Sequence, residues 1–155
     1  PYRGVTMALP EPIGVLSLIA PEETPLLSTI SLIAPAIAMG NRVVLIPSER
    51  FASVALELVQ VFETSDVPGG VINIVSGNKR ELAEQLAGHA EVDAMWCWAN
   101  QETVASIETI SATDLKRLWV HHDGDRNWLD PEQGESSEFL RNATEIKNIW
   151  TPYGD

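Results

Sequence analysis

The segment Gly14-Val-Leu-Ser-Leu-Ile-Ala-Pro21 decides the fold, because it is a continuous apolar run bounded by Gly and Pro, as a buried strand requires. From Thr24 to Met39, apolar residues recur at helical spacing, and the pattern stops at Gly40. A second β-branched run covers Arg42 to Pro47. A strand, a helix and a second strand in this order predict a βαβ unit with parallel strands.

The same alternation continues further along the chain. It predicts helices over 52–62, 79–88 and 101–110, and strands over 71–75, 94–99 and 115–121. Five strands separated by helices favour a parallel sheet that is covered on both sides. We therefore predict an α/β fold: a Rossmann-like parallel sheet with helices on both faces, plus an extended N-terminal arm and a C-terminal tail.

The flanking segments complete the organisation. We expect an extended arm over 1–10, the Rossmann-like domain over 11–121, an acidic loop over 122–138 and a C-terminal tail over 139–155. Extended segments of this kind can add strands to another domain or subunit, so the tail is a candidate interaction segment. Because the chain starts at Pro1 without a methionine, we expect it to be part of something longer.

Composition excludes several classes of partner. The 22 acidic and 10 basic side chains give a formal net charge of −12, which repels nucleic acid and anionic membranes. The 45% hydrophobic content fits a soluble globular fold, and no apolar run reaches the roughly 18 residues of a membrane span. The single cysteine cannot form an internal disulfide. We expect a cytoplasmic protein that binds neither nucleic acid nor membrane.

Several sequence blocks, in one order, resemble the coenzyme-binding domain of aldehyde dehydrogenases over most of residues 11–100. The blocks are Glu11-Pro-Ile-Gly-Val-Leu-Ser-Leu-Ile-Ala-Pro21, Pro25-Leu-Leu27, Ala34-Pro-Ala-Ile-Ala-Met-Gly-Asn41, Val43-Val44, Pro47-Ser-Glu49, Pro68-Gly-Gly-Val-Ile-Asn-Ile-Val75 and Gly77. The later pieces Ala94-Met-Trp96, Leu115-Lys116 and Ile149-Trp-Thr-Pro-Tyr-Gly-Asp155 are similar to the closing part of family sixteen aldehyde dehydrogenases. That family carries a second, degenerate region after its catalytic one, and the resemblance is to this C-terminal region.

The resemblance implies a coenzyme site whose usual contacts are altered here. The family's Lys and Glu near the adenosine ribose correspond to Ile46 and Glu49, and its glycine-rich turn keeps only Gly77. We expect Gly77 to be a turn residue with permissive dihedrals. Lys79 and Ala83 follow it, and Trp98-Ala-Asn100 replaces a Gly-Ser. Glu49 and Gly77 are therefore weak remnants of a cofactor site: NAD belongs to the parent family, and we expect no cofactor for this chain.

The family's catalytic groups are altered as well, so we assign no catalytic residue. Glu23 takes the place of an Asn that stabilises the oxyanion, and a carboxylate there would repel that charge. We interpret Glu22 and Glu23 as a solvated helix N-terminus rather than a general base or cation site. His121-His-Asp-Gly124 replaces the segment with the general base, and the nucleophilic cysteine belongs to a separate domain. Cys97, between two tryptophans, is predicted to lie in the core.

A metal site and an aromatic binding surface are weaker interpretations. His121, His122, Asp123 and Asp125 are competent ligands, but adjacent strand residues point to opposite faces, so an exposed loop is favoured and we assign no metal. The five tryptophans, at 96, 98, 119, 128 and 150, are predicted to be core or interface residues.

Three functions follow from these residues. The first is a non-catalytic domain with a structural or oligomerisation role, whose partners are other domains or subunits of an aldehyde dehydrogenase, including copies of itself. The second is the coenzyme-binding part of an active NAD-dependent aldehyde dehydrogenase, an oxidoreductase. The third is a module that binds a cationic or apolar ligand in a cleft lined by Glu22, Glu23, Ile46 and Trp98.

Overall fold

The computed structural model describes residues 3–153 of the 155-residue chain. Residues 1 and 2 of the predicted arm and residues 154 and 155 of the predicted tail lie outside the described residues. The strands are β1 (Gly4–Pro12), β2 (Val15–Ile19), β3 (Arg42–Ile46), β4 (Ile72–Ile74), β5 (Ala94–Ala99), β6 (Arg117–His122) and β7 (Thr144–Pro152). The helices are α1 (Pro25–Ala38), α2 (Ala52–Glu63), α3 (Lys79–Ala87), α4 (Gln101–Ser111), α5 (Pro131–Gly134) and α6 (Glu138–Asn142). Within residues 3–153, no helix combines the length and the apolar character that a membrane span needs.

Strands β2 to β6 form one parallel sheet in the order β4-β3-β2-β5-β6, which confirms the predicted fold class. Side chains alternate between the two faces of each strand. Leu16 and Leu18 of β2 join one apolar cluster, with residues of α1, α2 and α6. Ile19 joins a second cluster, with residues of α3 and α4. All six residues of β5 are buried, as expected for a strand covered on both faces.

Residues 122–138 differ from the predicted acidic loop, because part of this segment packs into the core. Trp128 is 3% exposed and belongs to the cluster on the α1 face of the sheet. The Arg126 guanidinium lies 4.9 Å from the centre of the Phe139 ring and also faces three tryptophan rings. Aromatic burial and cation–π attraction therefore anchor a segment whose Asp, Gly and Glu content is typical of a solvated loop.

The predicted arm and tail pair with each other. Strands β1 and β7 form an antiparallel two-stranded sheet, with Met7 opposite Ile149 and Thr6 opposite Trp150. We call this sheet the β1–β7 ribbon. Two strands alone bury little apolar surface, so a ribbon of this kind is marginal without further packing.

One buried side chain fixes the base of the ribbon to the domain. Asn41 Nδ2 donates hydrogen bonds to the carbonyl oxygens of Ala36 (2.9 Å) and Ala143 (2.8 Å). Its Oδ1 accepts a hydrogen bond from the main-chain N–H of Gly14 at 3.0 Å. These contacts join the end of α1, the start of β2 and the residue before β7.

Candidate functional site

A cleft of about 460 Å³ lies at the edge of the sheet where its parallel strands end. Ligands of open α/β sheets bind at this edge, because loops from several strands meet there. The segments that follow all five strands of the parallel sheet supply its charged and polar groups. The lining residues include Glu22, Glu49, Arg50, Lys79, Asn100 and Asp123.

The Glu22 carboxylate is the most extensively bonded group in the cleft. It accepts hydrogen bonds from the Ser48 hydroxyl (2.7 Å) and from the main-chain N–H groups of Glu49 (3.0 Å) and Arg50 (3.2 Å). It also forms an ion pair with the Lys79 ammonium group. The expectation that Glu22 would be a solvated acid at a helix N-terminus is therefore wrong. Its neighbour Glu23 is exposed, as that interpretation requires.

These bonds set the ionisation of Glu22. Partial burial raises the pKa of the carboxyl, but the bonds from Lys79, Ser48 and the two main-chain N–H groups outweigh burial and lower the pKa from 4.5 to about 2. Glu22 is therefore charged at every pH at which the protein is expected to work.

We expect the stability contributed by Glu22 to depend on pH. Because its pKa is lower in the folded chain, the charged carboxylate stabilises the fold above pH 4.5, and this contribution falls as the pH drops toward 2. In urea unfolding, Glu22→Gln should be less stable than the wild type at pH 7, and the difference should shrink steadily below pH 4.5. Glu23→Gln is the matched control and should cost little at pH 7. A Glu22→Gln deficit of the same size at pH 7 and pH 3 would contradict the assignment.

Helix α3 places Lys79 in the cleft. The Asn78 side chain caps the helix by accepting a hydrogen bond from Glu81 N–H at 3.0 Å. The N–H of Lys79, at the first helical position, donates to Glu49 Oε2 at 3.0 Å. Lys79 is 8% exposed, and its ammonium group reaches Glu22. Lys79 thus lines the cleft with its ammonium group already engaged in an ion pair.

Of the two residues predicted as remnants of a coenzyme site, Glu49 lines the cleft and Gly77 does not. Glu49 lines the cleft, where its carboxylate is bonded to the start of α3. Gly77 is exposed between β4 and α3, and its φ lies outside the left-handed region, so the expectation of permissive dihedrals is wrong. A Cβ at Gly77 would lie 3.1 Å from Leu82 Cδ1, so a side chain there would require the end of Leu82 to shift by a few tenths of an ångström.

Other predicted site residues lie in the core. The sequence predicted a cleft lined by Glu22, Glu23, Ile46 and Trp98. Ile46 and Trp98 are each 1% exposed, so the prediction is wrong for these two residues. Cys97 is fully buried, and burial raises the pKa of its thiol to about 12. The core position predicted for Cys97 agrees with the structure, and a thiol with this pKa is a poor nucleophile at neutral pH.

His121 and His122 do not converge on one point. The His121 ring stacks on Trp98 with ring centres 5.1 Å apart, and burial together with the Arg126 charge lowers the pKa of its imidazole. His122 is exposed, and its main-chain N–H donates to Asp125 Oδ2 at 2.7 Å. Among residues 3–153, no group of three or more His, Cys, Asp or Glu side chains is placed to hold a metal ion.

The cleft is therefore lined by charged groups that bind one another. A ligand of this cleft would be recognised mainly through its charge. Sequence reasoning identified Glu22, Lys79 and Glu49 separately but missed their contacts and the part played by Ser48. The available signal was topological, since loops that follow parallel strands meet at one edge of the sheet.

Comparison with known proteins identifies the family. The aldehyde dehydrogenase family model matches residues 2–129. The chain is 38% identical over 144 residues to bovine (Bos taurus) 2-aminomuconic semialdehyde dehydrogenase, covering 93% of this chain and 29% of that protein. It is 32% identical over 121 residues to the NADP/NAD-dependent aldehyde dehydrogenase PuuC of Escherichia coli, covering 77% and 24%. The chain thus spans about a quarter of the curated relatives that it matches.

Solved structures show the same relationship. A mutant of aldehyde dehydrogenase C from Pseudomonas syringae, in complex with NAD+ and octanal, superposes with a TM-score of 0.74 at 34% identity, over 78% of this chain and 25% of that one. An apo betaine aldehyde dehydrogenase mutant from Staphylococcus aureus gives a TM-score of 0.74 at 29% identity, over 79% and 25%. By sequence and by fold, this chain belongs to the aldehyde dehydrogenase family.

Proposed function

We propose that this chain is a non-catalytic aldehyde dehydrogenase-like domain with a structural or oligomerisation role in a larger aldehyde dehydrogenase. It corresponds on this proposal to the degenerate C-terminal region of family sixteen members. The observation that carries the proposal is the ion pair between Glu22 and Lys79 in the wall of the cleft at the ends of the strands, which engages the lysine within the chain. A cytoplasmic location stays a prediction.

The cleft residues do not suit NAD. Two donors near the cleft, the Ser48 hydroxyl and the Lys79 ammonium group, are already bonded to Glu22. The side chain of Ile46 lies in the core and offers no polar group. A dinucleotide would have to break an ion pair that is partly shielded from water, and it would bring its own negative charge close to Glu22 and Glu49.

The alternative is that the chain is the coenzyme-binding part of an active NAD-dependent aldehyde dehydrogenase. It is favoured by Glu49, which still lines the cleft. On this alternative, Lys79 would have to leave Glu22 when coenzyme enters.

The β1–β7 ribbon is the surface proposed for assembly. Register places Val5, Met7 and Leu9 on one face, together with Ile149 of β7, and the three β1 side chains are 42–47% exposed. On the other face, Trp150 is 78% exposed and Ile146 is 59% exposed. Apolar side chains at this density on a marginal ribbon support the proposal that another protein surface covers the ribbon. The partners that fit are a second copy of this chain or another aldehyde dehydrogenase domain.

The ribbon can be tested without disturbing the domain. We expect Trp150→Ser with Ile146→Ser to lower the oligomeric state measured by size-exclusion chromatography with light scattering, because the pair removes two large exposed apolar side chains from one ribbon face. The matched control is Leu56→Ser with Val61→Ser, which changes two residues of α2 that are 44% and 58% exposed. The control should assemble like the wild type.

Truncation gives a second version of the same test, provided that the cut spares α6. Phe139 is 1% exposed and Ala143 is fully buried, so removing residues 139–155 would damage the core as well as the ribbon. A chain that ends at Ala143 should keep the α/β fold by circular dichroism and lose assembly. If neither this truncation nor the ribbon variant changed the number of subunits in solution, the oligomerisation role would be abandoned.

A further inference from the structure

We propose that Glu22 acts as a resident ligand in an anion-binding site of the cleft and keeps free phosphate-type anions out of that site. This inference rests on the proposed function, in which the cleft holds no coenzyme. It adds that the site can bind a phosphate-type anion once the Glu22 carboxylate is removed.

The donor set is that of an anion site. One hydroxyl, two main-chain N–H groups and one ammonium group converge on the two oxygens of Glu22. Main-chain N–H groups together with a lysine are a common way in which proteins hold phosphate or carboxylate. The carboxylate of Glu22 satisfies all four donors from within the chain.

The segments that carry the donors are held in place by contacts that do not involve Glu22. The Ser48 hydroxyl oxygen accepts a hydrogen bond from Phe51 N–H at 3.1 Å, which fixes the turn before α2. The main chain of Lys79 is positioned by the Asn78 cap of α3 and by its own N–H bond to Glu49, while its ammonium group pairs with Glu22. A shortened side chain at position 22 should therefore leave a preformed site with unpaired donors.

Burial of the donors makes a site without the Glu22 carboxylate unfavourable for the stability of the fold. With the Glu22 side chain in place, Ser48 is 1% exposed and Lys79 is 8% exposed, so both donors depend on the carboxylate for a charged partner. Buried donors without a partner, and above all an unpaired buried ammonium group, destabilise a protein. A small anion that enters from the open cleft would restore their bonds, and inorganic phosphate has the charge and the acceptor oxygens that this requires.

The experiment compares Glu22→Ala with the wild type by calorimetric titration with inorganic phosphate at constant ionic strength. The alanine variant should bind phosphate at least tenfold more tightly than the wild type, and phosphate should raise its melting temperature. Glu22→Gln, which keeps the side-chain volume but not the charge, should show a smaller gain. The double variant Glu22→Ala with Lys79→Met should lose the gain, because it lacks the ammonium group.

A folded Glu22→Ala variant with wild-type phosphate affinity would overturn the inference. Equal gains in the single and double variants would also overturn it, since the anion would then bind elsewhere. If Glu22→Ala does not fold, the midpoint of urea unfolding of Glu22→Gln with and without phosphate decides the matter: a shift absent from the wild type supports the inference, and no shift refutes it. Binding of NAD to the wild type is a separate outcome that would contradict the proposed function first.

Discussion

Replacing Trp96 with alanine is expected to lower the free energy of unfolding by about 3–5 kcal/mol, the range for large aromatic side chains in a packed core. Trp96 is 1% exposed and lies at the centre of β5, where it pairs with Leu18 on one side and Trp119 on the other. Its ring meets Trp119 edge-on, with centres 5.1 Å apart, and lies 6.0 Å from the ring of Phe139. The substitution would open a cavity between the sheet and the segment that carries Phe139.

The measurement is urea unfolding followed by circular dichroism, and the chain contains its own control. Trp150 is 78% exposed on the ribbon, so Trp150→Ala should change the stability of the domain by less than about 1 kcal/mol while weakening assembly. Comparable losses of stability for Trp96→Ala and Trp150→Ala would contradict the position of Trp96 in the core.

Replacing Gly14 with alanine is expected to cost about 3 kcal/mol, through two separate effects. Gly14 has a φ of +132°, a backbone conformation that L side chains rarely adopt. A Cβ would also lie 2.2 Å from Asp93 Oδ2, and this carboxylate accepts the hydrogen bond of Val15 N–H at 2.8 Å. The alanine methyl group would have to displace Asp93 from the start of the central strand β2.

Gly70 and Gly69 allow the backbone strain to be measured separately from the clash with Asp93. At Gly70 the φ is +83°, and a Cβ would meet no atom of residues 3–153 within 4 Å, so Gly70→Ala should cost only the backbone strain, about 1 kcal/mol. Gly69 has the same open surroundings without the positive φ, and Gly69→Ala should be close to neutral. Thermal unfolding of the three variants should rank Gly14→Ala as the least stable. Equal midpoints for the Gly14 and Gly70 variants would exclude a role for Asp93.

The order and type of the elements of the central sheet were predictable from sequence because local pattern determines them. Apolar runs predicted the five strands, and helical spacing placed α1 within about a residue of its observed ends. The pairing of β1 with β7 was beyond local pattern, since these strands stand at opposite ends of the chain. The packing of 122–138 was missed for a different reason: one buried tryptophan and one arginine outweigh a composition that favours a loop.

The individual residues of the candidate site were predictable from the sequence, but the contacts between them were not. The resemblance led to Glu22, Glu49 and Lys79, but no spacing in the sequence predicts that Lys79 would form an ion pair with Glu22. That contact depends on how far each loop extends past the end of its strand. For Gly77 the family pattern led to a conformational role, whereas its φ in the structure lies outside the left-handed region.

Titration of NAD into the purified chain by calorimetry tests the central claim most directly. The proposed function predicts no saturable heat up to millimolar NAD, because the Ser48 and Lys79 donors remain bonded to Glu22. Saturation with a micromolar dissociation constant, about −8 kcal/mol of binding free energy, would contradict it and favour an active coenzyme-binding domain.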